Sequence, residues 1–261
     1  MKLYEVRDIV RENVGRDKIS EHLLAYSLSQ GLRNIEKTGD YWWMRGTKTW
    51  NTVINQQAYN LTTSASGGLN LPNWKKNRLL LTQDGTLTNP DWDEVFGPID
   101  IEEAGLEFAD TDNGMPVIYS VDESTVTATE EDPSATTPAQ LLVWPNNPDK
   151  TYNMRLHYYQ WTSLPASTAS EAHEILKRFP EALIFSATEV GIVTITKDPA
   201  LGVYWHQKLD NPGNHHDPGE MTKIRRLNNE RSQDSRTEFR PMRGALMSRR
   251  SRWRRNREIW I

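Results

Sequence analysis

The chain has 261 residues, of which 36% are apolar and 25% are charged, and its formal net charge is −4 at pH 7. It contains no cysteine, which excludes disulfides, thiolate nucleophiles and cysteine-based metal sites. No apolar run approaches the ~20 residues that span a bilayer, and the first residues lack the apolar stretch of a signal peptide, so we expect a soluble protein that has no membrane partner and is made in a cytoplasm.

Residues 1–41 predict the first part of a helical domain. Val6, Ile9 and Val10 recur at helical spacing, and Gly15 ends this first helix. A second helix is predicted after a cap at Asp17 or Ser20, and it ends at Gly39. One stripe of the second helix is apolar and is expected to pack in the core: Leu24, Leu28, Leu32 and Ile35.

Residues 42–165 predict an inserted domain of antiparallel strands joined by short turns. Apolar and polar residues alternate from Tyr152 to Tyr159, and 141–144 is a short apolar run bounded by prolines. Further strands are predicted at 49–54, 58–61, 77–82 and 117–121. Thr125–Ala139 is expected to be an exposed loop. Such a pattern favours a small sandwich or barrel.

Residues 166–222 predict the second part of the helical domain. Thr168 and Glu171 have the spacing of a capping box, so a helix is expected to begin there. Pro180 and Pro199 open two further helices, and a last one is expected over Glu220–Arg231. The predicted fold class is therefore α+β: a helical bundle from the N- and C-terminal segments, an inserted antiparallel β-sandwich or barrel, and an extended C-terminal arm.

The basic arm, residues 223–261, carries the opposite charge to the rest of the chain. It has 13 Lys or Arg against 4 Asp or Glu, a balance of +9, whereas residues 1–222 have a balance of −13. Between Leu79 and Asp149 there are 16 acidic residues and no Lys or Arg. Such an arm is expected to bind an anionic partner, either nucleic acid, a membrane surface or an acidic protein.

The end of the arm is the predicted partner-docking site. Its arginines can pair with carboxylates while its large apolar side chains fill pockets. The alternatives are an arginine-rich arm that grips nucleic acid, with an indole stacked on bases, and a solvated tail. An apolar C-terminus favours docking, because a nucleic-acid arm has no need of one. The candidate docking residues are Arg249, Arg250, Arg252, Trp253, Arg254, Arg255, Trp260 and Ile261.

Other chemical candidates are weak, and we predict no catalytic residue, metal or cofactor. His215-His216-Asp217 lies in a turn, and adjacent histidines rarely reach one ion. His173-Glu174 lacks the second histidine of a zinc-protease motif, since residue 177 is Lys. The carboxylates at 91–94 and 102–103 have the pairing of glycosidase acids but arise by chance in so acidic a segment. The Trp42-Trp43 pair and Trp74 are expected in the core or an interface rather than in a sugar platform.

Three motifs of the strand region resemble one protein family. The first is Gln57–Leu61, with a Y-x-L pattern, and the second is Asn113–Tyr119, with a G-x-P-x-x-Y pattern. The third is Leu142–Asp149 followed by Tyr152–Tyr158, which resembles a hairpin with a W-P turn and a P-D turn. Together with the flanking helices, over roughly residues 1–210, they resemble the head-to-tail adaptor proteins of short-tailed bacteriophages.

The resemblance implies a non-enzymatic structural protein of the virion neck, assembled in the host cytoplasm. Such adaptors form a ring, usually of twelve subunits, beneath the portal; the ring extends the DNA channel and carries the tail, nozzle or tail-fibre proteins. DNA passes through without specific binding, and a C-terminal arm docks on the portal. The arginine-rich end of the arm departs from the family. The alternatives are a nucleic-acid-binding protein and a glycan-binding tail component.

Overall fold

The computed structural model describes residues 1–61, 68–71, 74–84, 92–108, 113–122, 139–145, 147–211 and 219–238, with the backbone alone at 76–84, 92–94, 107 and 232–238. Within these residues the fold is α+β, with seven α-helices and seven strands. The chain divides into two compact units: a helical unit of Met1–Ile35 with Leu164–Ile261, and a β unit of Glu36–Ser163. The β unit, Glu36–Ser163, covers most of residues 42–165, the segment predicted as an inserted domain.

The helical unit contains six of the seven helices. In chain order they are α1 (Leu3–Val14), α2 (Glu21–Lys37, whose last residues belong to the β unit), α4 (Glu174–Arg178), α5 (Pro180–Ile195), α6 (Pro199–Leu209) and α7 (Glu220–Glu238); α3 (Ile101–Glu107) belongs to the β unit. The predicted stripe of α2 is buried, as are Val6 and Val10 of α1. Helix α5 lies at the centre of the helical unit, and its apolar residues are buried on most sides of the helix.

The first helix ends at the predicted glycine and the second begins after one of its two predicted caps, although α2 ends at Lys37, two residues before the predicted Gly39. Gly15 follows α1 with φ of 107°, in the left-handed region that favours glycine. Ser20 precedes α2, and its Oγ accepts a hydrogen bond from the backbone N–H of Leu23. Helix α2 then packs closely on α5, because a Cβ on Gly31 would lie 2.8 Å from the backbone nitrogen of Ala187.

The capping box predicted at Thr168 and Glu171 is wrong. The carbonyl of Thr168 accepts a hydrogen bond of 2.8 Å from the backbone N–H of Tyr4, so this segment ties down the start of α1. The helix begins instead at Glu174, where the Nδ1 of His173 accepts the backbone N–H of Ile175. At the other end of the unit, α7 continues seven residues beyond the predicted end at Arg231, so the arm begins as a helix.

The β unit holds two antiparallel sheets. The strands are β1 (Arg45–Asn51), β2 (Ala58–Asn60), β3 (Trp74–Asp84), β4 (Trp92–Val95), β5 (Ile118–Asp122), β6 (Gln140–Trp144) and β7 (Asn153–Gln160). The first sheet has the order β1-β7-β3-β4 and the second β2-β6-β5. One core joins them, because Met154 and Leu156 of the first sheet and Tyr59, Leu141 and Val143 of the second belong to the same buried cluster.

Three parts of the β unit differ from prediction. Strand β1 begins at Arg45 instead of Thr49, and it ends before the exposed Val53 and Ile54. Strand β4 was not predicted. Helix α3 was not predicted either; Asp100 caps it by accepting the N–H of Glu102 at 2.8 Å. The predicted loop lies outside the described residues, apart from a buried Ala139.

The motif tyrosines hold this unit together. Tyr59 and Tyr119 are fully buried, and the hydroxyl of Tyr59 donates to the carbonyl of Gln56 and accepts the N–H of Val53, each at 3.0 Å. Burial raises the pKa of the Tyr59 phenol. The hydroxyl of Tyr152 donates to Asp149 Oδ1 at 2.6 Å across the predicted turn. The tyrosines of these motifs therefore contribute to the core and turns of the β unit.

Among the described residues, no helix is both long enough and apolar enough to cross a membrane.

Candidate functional site

The predicted docking residues, 249–261, lie outside the described residues. The structure does describe the base of the arm, α7. Met221 and Ile224 are buried, and the guanidinium of Arg225 donates two hydrogen bonds, of 3.0 and 2.7 Å, to the carboxylate of Asp210. Such a bidentate pair fixes orientation as well as adding energy. The described base of the arm is therefore a helix that is fixed on the helical unit.

Helix α6 presents a partly apolar face to solvent. Ala200, Val203, Tyr204 and Gln207 are all exposed and follow the spacing i, i+3, i+4, i+7, which places them on one helix face. Val203 is 54% and Tyr204 50% exposed. We call these four residues the α6 face. A monomeric soluble protein would be expected to present polar residues there, so the α6 face is a candidate subunit interface.

The orientation of α6 follows from its cap and its opposite side. Asp198 accepts the N–H groups of Ala200 and Leu201 at 3.0 and 3.1 Å, and Pro199 starts the helix. Gly202 lies against Val193 of α5 so closely that a Cβ would come within 2.7 Å of its Cγ2. Glycine at this position lets α6 lie flat on α5, with its other side outward.

Polar contacts border the α6 face. His206 Nδ1 lies 3.2 Å from Glu189 Oε2 of α5. The Nζ of Lys208 lies 6.0 Å from the ring centroid of Tyr204, and Tyr204 meets the ring of Trp205 edge-on at 5.3 Å. An apolar stripe with charges along its border is the usual anatomy of a protein interface.

The β unit contains a buried polar cluster that the sequence pattern does not predict. The carboxylate of Glu36, which is fully buried, accepts hydrogen bonds from the backbone N–H and the hydroxyl of Thr162 and from Trp43 Nε1. Lys75 Nζ donates at 2.7 Å to the carbonyls of Glu36 and Gly39. We call Glu36, Lys75 and Thr162 the Glu36 cluster. The cluster supplies hydrogen-bond donors to the carbonyls at the end of α2. The one sequence signal for it is the lysine at position 75 within a strand.

The predicted tryptophan pair belongs to the surroundings of this cluster. Trp43 stacks on Tyr41 with centroids 4.5 Å apart, and Trp42 meets Trp43 edge-on at 4.6 Å. Both indoles are half-buried. Trp74 packs against the buried cluster to which both sheets contribute. Trp42 and Trp43 thus pack on each other, Trp43 also packs on Tyr41, and Trp74 packs against a separate buried cluster.

The other candidates are dispersed. Residues 215–217 and Asp91 lie outside the described residues. His173 serves as a helix cap, and Lys177 pairs with Glu174 at 3.4 Å. Burial lowers the pKa of His173 to about 4, against the opposing effect of Glu174. Glu102 and Glu103 are both exposed on α3. In the described part of the chain, no three His, Asp or Glu side chains are grouped so that they could hold a metal ion.

No protein-family model matches the sequence, and no curated protein matches it either.

Proposed function

We propose that the protein is a head-to-tail adaptor of a short-tailed phage, a non-enzymatic subunit of a ring beneath the portal. In this proposal a helical bundle carries an inserted two-sheet sandwich, and about twelve copies close the ring. The ring extends the DNA channel of the virion neck and carries the tail, nozzle or fibre proteins. The motifs that resemble this family supply buried tyrosines and turns of the β unit, so the resemblance rests on residues that determine a fold.

The observation that carries the proposal is the α6 face. A closed ring of identical subunits needs two different, complementary surfaces on each copy. Val203 and Tyr204 place a half-exposed apolar stripe on a helix that is capped and held flat on α5. Burial of such a stripe between copies contributes about 25 cal/mol for each Å² of apolar surface removed from water.

The arm supplies the second part of the proposal. With a balance of +9 over residues 223–261, it would dock on the portal through its arginines, while Trp253, Trp260 and Ile261 fill apolar pockets. Helix α7 ends at Glu238, and the 23 residues beyond it span up to about 75 Å at ~3.3 Å each. This reach is enough to contact a second ring.

The charge of the arm also keeps a nucleic-acid-binding function open as the second candidate. Salt separates the two. Affinity for DNA through many phosphate contacts falls steeply as salt rises. Docking that buries two tryptophans and an isoleucine survives moderate salt, because burial of apolar surface does not depend on charge.

The test is native mass spectrometry of the protein, alone and mixed with the portal protein of the same genome. We expect a stoichiometric ring on the portal and no ring with Val203→Asp. The matched control is Val53→Asp, since Val53 is 48% exposed in the β unit. A chain truncated at Arg240 should stay folded but should no longer bind the portal protein. Portal binding at full occupancy without the arm would refute the docking role, and a DNA complex without portal binding would favour the second candidate.

A further inference from the structure

Helix α3 presents an unusual outward face. Ala104 and Phe108 are buried against Ile118 and Trp144 of the second sheet. At 100° per residue, the opposite side of the helix is centred on Leu106, with Glu102 and Glu103 on either side of it. Leu106 is 89% exposed. We call Glu102, Glu103 and Leu106 the α3 face.

A second exposed apolar side chain lies on the sheet that α3 covers, and α3 itself has an open position next to Leu106. Phe96 pairs with Ile118, which puts it on the sheet side that α3 covers, and it is 45% exposed. A Cβ on Gly105 would meet no atom within 4 Å. Glycine within a helix lowers its stability by about 1 kcal/mol relative to alanine, so Gly105 does not give α3 the stability that alanine would give at this exposed position. A flat spot beside Leu106 would let a large ring approach the helix.

The charge of the α3 face lacks a local counterpart. Among the described residues, the carboxylates of Glu102 and Glu103 make no ion pair. The sequence around them cannot supply one, because no Lys or Arg occurs between Leu79 and Asp149. An occupant of this face must therefore bring both cations and an apolar side chain from elsewhere.

We propose that the α3 face binds the C-terminal segment, residues 249–261, of a second copy of this chain before the portal is met. That segment alternates arginines with Trp253 and ends in Ile259-Trp260-Ile261, so it brings guanidinium groups for the two carboxylates and a ring or isoleucine for Leu106. The 15 residues from the end of α7 at Glu238 to Trp253 span up to about 50 Å at ~3.3 Å each, enough to reach a neighbour.

A second copy is the occupant that a repeating contact around a ring favours, so this inference rests on the proposed function. Each chain has one body with a balance of −13 and one arm with +9, so an arm that lies on the body of another copy offsets most of the charge of that body and leaves a balance of −4. One donating arm and one accepting face on each subunit also meet the requirement of a heterologous contact that repeats around a ring. In the neck, the portal would compete with the α3 face for the same segment.

The test uses the full-length chain with photoreactive benzoylphenylalanine in place of Trp253, prepared as an equal mixture of isotopically light and heavy protein. We expect crosslinks between residue 253 of one copy and residues 96–106 of another, identified as light–heavy pairs. Glu102→Lys with Glu103→Lys should lower this yield about tenfold, equivalent to about 1.4 kcal/mol. Arg252→Glu with Arg254→Glu should restore it in that background.

Glu181→Lys is the matched control, because Glu181 is an exposed carboxylate of α5 in the helical unit, and it should leave the yield unchanged. Since Glu102, Glu103 and Glu181 are exposed, circular dichroism should show the same fold in the variants at these three positions. Crosslinks within one copy, crosslinks to the α6 face, or an unchanged yield in the Lys variant would each overturn the inference. These results do not involve the portal, so they are separate from the outcome for the adaptor proposal.

Discussion

The Glu36 cluster allows a quantitative test of how the end of α2 is held in the β unit. Lys75→Met keeps the length of the side chain but removes its charge and its donors. Two hydrogen bonds of 2.7 Å to the carbonyls of Glu36 and Gly39 are lost, with the ion pair to Asp40 at 3.4 Å and the contact 5.0 Å above the Trp161 ring. The substitution therefore removes the lysine donor from one buried and one partly buried carbonyl.

The magnitude follows from these contacts. A hydrogen bond from a charged donor contributes about 1.5–3 kcal/mol, and the cation–π contact about 0.5–1 kcal/mol. Part of the sum is offset, because a methionine is buried more easily than an ammonium group. We therefore expect Lys75→Met to lower the free energy of unfolding by about 3 kcal/mol.

Urea unfolding followed by tryptophan fluorescence measures this change, since Trp43 and Trp161 surround the cluster. The control is Lys37→Met, at the same helix end but exposed, which should cost less than about 1 kcal/mol as a lost charge at a helix C-terminus. If the two variants unfolded within about 0.5 kcal/mol of each other, the cluster would not stabilise the fold as described.

Three further predictions concern single positions. Burial holds the pKa of His173 at about 4, below the ~6.5 of the unfolded chain, so the stability that the neutral imidazole contributes is complete above pH 6.5 and is lost as pH falls toward 4. Between pH 7.5 and pH 5, the free energy of unfolding measured in urea should therefore fall by about 2 kcal/mol more in the wild type than in His173→Asn. Equal losses in the two proteins would contradict the burial of His173. Gly31→Ala should lower stability by about 1–3 kcal/mol, because the new Cβ meets Ala187, whereas Gly105→Ala in open space should be neutral or stabilising by up to about 1 kcal/mol; equal melting temperatures would refute the close approach of the two helices. Ser120→Ala should leave the free energy of unfolding unchanged or raise it by up to about 1 kcal/mol, because the buried hydroxyl has no partner among the described residues, and a loss above 1 kcal/mol would reveal one.

Local sequence signals located most of the helices. Gly15, Ser20, Pro180 and Pro199 act within one or two turns, so their effect is readable without the rest of the chain. The alternation that gives β7 is equally local, since its period of two is set by the strand itself. The capping box at Thr168 failed for the opposite reason, because a distant backbone group, the N–H of Tyr4, takes the carbonyl of that segment.

Helix α3 shows why part of the fold was not predictable. It has only 7 residues, and an outward Leu106 breaks the amphipathic pattern that would identify it. Ala104 and Phe108 form a buried side only because Ile118 and Trp144 lie beneath them. These two residues belong to strands β5 and β6, which follow α3 in the sequence, so a short segment around α3 does not include the surface on which it packs.

The sequence by itself determined the charge division between body and arm, the chemistry of the arm's end, and the apolar composition of α6, because these depend only on which residues are present. Only the tertiary structure decided which side of α6 faces outward, where Lys75 finds its carbonyls, and that Leu106 stands between two carboxylates. Orientation depends on what the opposite side packs against, as Gly202 on Val193 shows, and such contacts join residues that are distant along the chain.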